Sequence, residues 1–314
     1  WDVDSIEAVE ALGYAGWIDA QLAADKGPDP EILVTQTLPP RIQYIEPSAA
    51  LPTLIPSGTA TGYNGSGPMA TYVKNYYEKF PISGVGTVGA PLESSEEIWR
   101  AWWRTAVKSP DQLRLRTAFA LSQILVVSED GELDEVARGL VHYHDLLYWH
   151  GTGNFRSLLE RVTLNPVMGR YLDMLGNRKP DPSIGYIPNE NFAREILQLF
   201  SIGLNRLHPD GSVVLSPAGL PTPTYEQPNV VGYAHTFTGW NVSNGANYAP
   251  AMVPTPGNHD FTEKLLRENP TPPAATASTA QCNAELAASL DVIFHHPNVG
   301  PFISRQLIQR MVTA

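Results

Sequence analysis

Residues 189–200 read NENFAREILQLF. The back half is an ordinary helix core. The front half packs two carboxylates, two amides and one guanidinium into seven residues. At about 100° per residue, Phe192, Ala193, Ile196, Leu197, Leu199, Phe200 and Gly203 fill one continuous arc, and Glu190, Asn191, Arg194, Glu195 and Gln198 fill the opposite one. Glu190 and Arg194 stand four apart with the acid N-terminal, the favourable order for an ion pair. Asn191 and Glu195 are also four apart, so the polar groups share one face. Such an arc is ordinarily a solvated flank, with Asn189 as N-cap. Lys and Glu suit a merely solvated flank, whereas Arg, Asn and Gln suit directional hydrogen bonding. A half-buried polar network lining a cleft is the sharper alternative, and both stay open.

Working outward, helix signals dominate. DSIEAVEALG has Asp4 and Glu7 in capping-box spacing, and GWIDAQLAA extends the pattern past Gly13. Helix resumes at PMATYVKNYYEKF. In KSPDQLRLRTAFALSQILVVS, Ser109 is placed as N-cap, with Pro110 at the first helical position and Gln112 closing the box. ELDEVARGLVHYHDLLYWHG, NFRSLLERVTLN and NPVMGRYLDMLGN follow, the last opened by the pair Asn165–Pro166. LNRLHPDGSVVLS predicts a short hairpin around Asp210–Gly211. NVVGYAHTFTGW predicts a helix capped by Asn229, and NAELAASLDVIFHHP and NVGPFISRQLIQRMV close the chain as two more. The expected fold is mainly α: one multi-helix globular domain over 1–314 with a few short strands. It carries a Pro/Gly-rich insertion at about 38–67 and a loop-rich segment at about 241–281.

Composition narrows the function classes. Of 314 residues, 43 % are hydrophobic and 17 % charged, with 28 Pro and 25 Gly. That balance predicts long ordered loops rather than disorder. The formal charge of −11 argues against a nucleic-acid backbone as partner. No apolar run reaches membrane-spanning length. One cysteine, Cys282, excludes an internal disulfide framework and is placed in an Ala/Thr-rich loop. Residue 1 is Trp, and the last helical pattern ends without a stop signal, so the natural polypeptide is expected to continue at both ends.

PNENFAREILQLFSIG resembles the signature of the bacterial domain-of-unknown-function family 1800. DQLRLRTAFALSQILVVS, GNFRSLLERVTLNPVMGRYLDMLGN, TFTGW, HDFTEK and HHPNVGPFISRQLIQRMVT are similar to further segments of that family, in the same order. The resemblance implies an exported protein, secreted or periplasmic, often encoded beside a second uncharacterised family that is similar to sulfatases. It implies no activity.

Candidate chemistry clusters around the opening stretch. Glu190 and Glu195 are candidate general acid/base carboxylates for a glycosidic bond, but on one helix they diverge by roughly 140°. Asp260 is the better partner for Glu195, brought by the 241–264 loop. Asn191, Arg194, Gln198, His259, Lys264 and Trp240 are candidate binding residues, Trp240 as an aromatic wall for sugar stacking. A structural part stands beside each: Glu195 satisfying a loop or an Arg, Asp260 capping a turn, Trp240 in the core. His142 and His144 are two apart and diverge on a helix, so packing is favoured over ligation. His295 and His296 are expected to interact with helix-terminal carbonyls. Adjacent Trp102 and Trp103 cannot both face the core. No nucleophile elbow or phosphate-binding loop occurs.

Two functions fit: an exported protein that binds or acts on an extracellular carbohydrate polymer through a polar cleft on the NENFARE helix, or a non-catalytic extracellular structural or assembly subunit. The expected partners are a polysaccharide or an extracellular protein, with a homo-oligomer left open. Metal and cofactors stay unknown. The sequons at Asn64 and Asn241 fit exposed loops.

Overall fold

The computed structural model describes residues 3–23, 102–103, 106, 111–128, 133, 136–243, 248, 251–268, 270–274 and 276–312. The 38–67 insertion, the helix expected at PMATYVKNYYEKF, the Ser109–Pro110 start and the Asn64 sequon lie outside these residues.

The protein is mainly α. α1 (Val3–Ala23) kinks at Gly13, whose φ of 69° is open to glycine without strain. It packs on α2 (Gln112–Ser122), where Gln21 Oε1 accepts from Leu113 N–H and Leu22 O from Arg114. α3 (Ala137–His150) is the central element. Leu140, Val141, Tyr143, Leu146, Leu147, Tyr148 and Trp149 are all buried, as are polar His142 and Asp145, so the helix is covered nearly all round. It packs against α2, α4 (Phe155–Thr163) and α5 (Pro166–Tyr171). Trp102 is 6 % exposed and stacks on Phe119, while Trp103 is 62 % exposed, the division expected of neighbours.

Local chemistry sets the helix starts. Asn154 and Asn165 each turn a side-chain oxygen to a backbone N–H of the first turn, and Pro166 opens α5 where a donor is not needed. α6 (Asn191–Gln198) buries Phe192, Ala193, Ile196 and Leu197. It ends before Leu199, which is therefore 45 % exposed rather than part of the apolar arc. α7 (Gln227–Thr236) begins two residues before the expected cap. Glu226 is the N-cap, and Asn229 sits inside the helix, where its side chain accepts from Glu226 N–H at 2.8 Å. The Pro228 ring fits the first turn and lets the helix start early.

α8 (Thr279–Phe294) also begins earlier than expected. Ser278 accepts from Gln281 N–H at 3.2 Å, so the cap belongs to a stretch expected as loop. Cys282 accordingly lies in this helix and not in a loop; it is fully buried with Leu286, Leu290 and Ile293 along one stripe. α9 (Val299–Met311) closes the described chain and packs on α2. The strands are two-residue antiparallel pairs: β1 (Trp240–Asn241) with β2 (Val253–Pro254), and β3 (Lys264–Leu265) with β4 (Pro270–Thr271). Single bridges at Asn205–Pro223, Leu207–Val213 and Leu215–Pro221 fold residues 204–224 into a doubled ribbon, with the expected hairpin at Asp210–Gly211. No described helix is long and apolar enough to cross a membrane.

Candidate functional site

α7 separates two polar clusters. The first is the outer face of α6. Asn189 Oδ1 accepts from Asn191 N–H at 2.8 Å, supplying the capping bond one position before the geometric N-cap, Glu190. Glu190 and Arg194 form the expected ion pair at 2.8 Å. Gln227 of α7 donates to Glu190 at 2.8 Å and accepts from Arg194 at 3.2 Å, closing a three-residue ring between the helices. Asn191 donates to Asp173. Tyr225 donates to Gln198 Oε1 at 3.4 Å, a weak bond.

Glu195 is the exception on this face. Its Oε2 is buried and has no hydrogen-bond partner among the described residues. Burial raises its carboxyl above the ordinary range, against the pull of the Arg194 charge. Burial also raises the Tyr225 hydroxyl, with Arg194 opposing and Glu195 reinforcing. The three groups therefore feel one another.

The second cluster lies between α7, the 255–264 segment and α8. His235, at the end of α7, meets Asp260 with Nδ1 to Oδ2 at 2.6 Å. Asp260 Oδ1 accepts from Thr262 N–H, and Thr238 Oγ1 accepts from Asp260 N–H. Burial works to raise the Asp260 carboxyl, but the bonds from His235 and Thr262 outweigh it and hold the group well below its usual range. His259 Nδ1 donates to Thr238 O at 2.7 Å, because a carbonyl can only accept, and Nε2 lies 3.3 Å from Glu285. Lys264 donates to the same Glu285 oxygen at 2.7 Å and to Thr262 O at 3.1 Å. Gln281 donates to the other oxygen at 3.2 Å. Against burial, these bonds lower Glu285 to about 2. Gly239 permits the approach: its φ is 83°, and a Cβ there would stand 2.8 Å from His259 N.

Buried Asn177 joins the two clusters. Its side chain accepts from Asn189 N–H and Tyr186 OH and donates to Asn189 O, each at 3.0 Å. Its own carbonyl accepts from Gly239 N–H at 2.7 Å, and Lys179 N–H reaches Asn258 O at 2.7 Å. The start of NENFARE is thus tied by one amide to the backbone that carries His259.

The family of proteins of unknown function designated DUF1800 matches residues 2–314. The chain belongs to this family. No curated protein and no solved structure matches it.

In this DUF1800 protein the proposed site residues divide. Glu190, Asn191, Arg194, Glu195 and Gln198 share one partly exposed face. Asp260, His259 and Lys264 share the second cluster, but they are 4 %, 1 % and 4 % exposed, and protein groups satisfy them. Trp240 is 1 % exposed and walls the core, with its indole N–H unpartnered among the described residues, so it presents no face for stacking. Among the described residues, no hydrogen bond joins Glu195 to Asp260 or His259. His235, Glu285, Asn177 and Tyr225 were not singled out in the sequence; only His235, directly before TFTGW, carried a local signal. No three His, Cys, Asp or Glu side chains among the described residues group to hold a metal. His295 Nδ1 donates to Asp291 O, the expected helix-end bond, whereas His296 does not: its Nδ1 accepts from Asn298 N–H.

The two clusters differ in chemical capacity. An imidazole fixed at Nδ1 by a buried carboxylate, as His235 is, keeps Nε2 for proton transfer. A carboxyl whose proton affinity is raised by desolvation, as that of Glu195 is, suits proton donation.

Proposed function

We propose that this protein binds or acts on an extracellular carbohydrate polymer through the polar face of α6, with Glu195 as proton donor, in a secreted or periplasmic setting. The buried, partnerless Oε2 of Glu195 carries this reading. An unmatched carboxyl oxygen costs stability and is retained where a ligand hydroxyl or glycosidic oxygen completes it. Arg194, Gln198, Asn191 and Tyr225 around it supply donors and acceptors of the kind that hydroxyl-rich chains use. The pair His235–Asp260 is the base-type group of the same protein, and Asp260 acts in it through the imidazole.

A screen of soluble polysaccharides for reducing-end release and for binding, before and after chelation, tests the reading. Glu195→Gln is expected to abolish turnover while the fold persists. Full turnover in that variant overturns the assignment of Glu195, and failure of every polysaccharide to bind overturns the substrate class.

A non-catalytic assembly role is favoured by a separate observation. The 204–224 ribbon exposes Leu204, Val213, Leu215 and Leu220, and the preceding loop exposes Ile184 and Ile187. Under that role, Leu215→Ser with Leu220→Ser changes the sedimentation coefficient of the protein, and Glu195→Gln changes nothing.

A further inference from the structure

A cavity of about 480 Å³ opens between the 204–224 ribbon, the start of α7 and the end of α8. Leu197, Ile202, Tyr233, Leu266 and Ile293 line it, and these five are buried. Three cationic or donor side chains from distant parts of the chain also line it: Arg206 on the ribbon, Arg267 beyond β3 and His296 after α8.

We propose that this cavity binds a small organic oxyanion, with Arg206, Arg267 and His296 Nε2 gripping the charged head and Tyr225 and Tyr233 against the body.

The geometry of the three donors carries the proposal. Among the described residues, neither guanidinium has an ion-pair or hydrogen-bond partner. Their backbones are nevertheless fixed: Arg206 N–H donates to Thr222 O at 2.8 Å, and Arg267 O accepts from Asn229 Nδ2 at 3.0 Å. His296 is 7 % exposed, and its Nδ1 accepts from Asn298 N–H at 3.1 Å. A backbone N–H only donates, so the ring proton sits on Nε2, a donor with no acceptor among the described residues. Burial first, then the charges of Arg267 and Arg206, together lower His296 to about 4. Both guanidinium charges act on the His296 ring, and all three groups face the one cavity.

Glu226 and Glu268 also line the cavity. Glu226 forms a reciprocal capping pair with Asn229 at the start of α7, and Glu268 is exposed and makes no ion pair with either guanidinium among the described residues. The volume falls in the range of small-molecule sites. Paired guanidiniums match the planar or tetrahedral oxygens of a carboxylate, sulfate or phosphate group. The site adjoins the polar face of α6 through Tyr225, but the oxyanion grip of Arg206, Arg267 and His296 shares no residue with that face, so it stands whether or not Glu195 is catalytic.

Calorimetry on the full chain tests this, with 4-nitrophenyl sulfate, 4-nitrophenyl phosphate and 4-nitrobenzoate as probes and 4-nitrobenzyl alcohol as the uncharged body. At least one anion is expected to bind saturably in the millimolar range or tighter, and the alcohol not. The preferred head group identifies the source of the oxyanion. Arg206→Ala and Arg267→Ala, at exposed positions, should each weaken binding by about tenfold or more. Affinity for the sulfate ester, a permanent anion, should rise as pH falls from neutral towards about 4, the value of the unliganded ring, because the bound charge raises His296. In His296→Gln, with Arg206, Arg267, Glu226 and Glu268 still lining the cavity, that rise should vanish. Equal binding of the alcohol, unchanged affinity in the double arginine variant, or no binding of any probe would each overturn the proposal.

Discussion

The outer face of α6 and the cluster beneath α8 use the same vocabulary of carboxylates, amides and cations, yet they are built to opposite ends. Beneath α8 every charged oxygen has a partner: Glu285 alone receives Lys264, His259 and Gln281. On α6 the ring of Glu190, Arg194 and Gln227 is half exposed, and the buried oxygen of Glu195 beside it has no partner among the described residues. Residue type does not separate scaffold from candidate site here; satisfaction of hydrogen bonds does. A completed network fixes a backbone, and an incomplete one leaves room for something that arrives later.

The sharpest way to break this contrast is Glu285→Ala. It strands Lys264 and His259 in the interior and should cost about 3–5 kcal/mol, read as a fall in the urea midpoint. The double variant Lys264→Met/Glu285→Leu should recover much of that loss, since it removes both charges. A recovery of nothing would mean that the cluster is not a self-contained pair.

Gly239→Ala comes next. The added methyl must coexist with a φ of 83° and a 2.8 Å approach to His259 N, so a loss of about 2–3 kcal/mol is expected in the same assay. An unperturbed midpoint would show that the loop before His259 yields freely.

Acid separates the clusters without mutation. Glu285 sits at about 2 in the folded chain against an ordinary 4.5. Its stabilisation is complete above pH 4.5 and is lost as pH falls towards 2, amounting to about 3 kcal/mol over that window. Stability measured across this range should fall more steeply in wild type than in Glu285→Gln, where Asp260 still contributes a slope.

Glu195 has the opposite sign. Its folded-state value lies above 4.5, so the ionised form is disfavoured in the fold at neutral pH. Glu195→Gln should therefore leave thermal stability unchanged or raised at pH 7, with the difference closing below pH 4.5. A large loss of stability would assign Glu195 to the scaffold. The smallest effect belongs to Arg194→Ala, about 0–1 kcal/mol, as befits a half-exposed pair.

Much of the helical frame was legible because its signals are local. Asn165–Pro166, Asp210–Gly211 and the unequal neighbours Trp102 and Trp103 each declare themselves within a few residues. The start of α8 was equally local: Ser278 and Gln281 have capping-box spacing, hidden by the Ala/Thr-rich surroundings. Asn229 misled because an Asn near a helix start can serve from inside the first turn as well as from before it. The candidate site was half legible. The periodicity of 189–200 gives the shared polar face, and the ion pair follows from spacing. The partners of His259 and Asp260 are Glu285 and His235, about 25 residues away in either direction, and no spacing rule reaches them. Asn177 escaped notice for the same reason, since its importance lies in three long-range bonds rather than in its neighbours.

Cys282, the only thiol in the sequence, lies fully covered one turn before Glu285 in α8. Its sulfhydryl can meet an alkylating reagent only when that part of the interior opens. The rate of labelling therefore clocks the transient exposure of the core beside the His259–Glu285–Lys264 cluster, with no engineered probe.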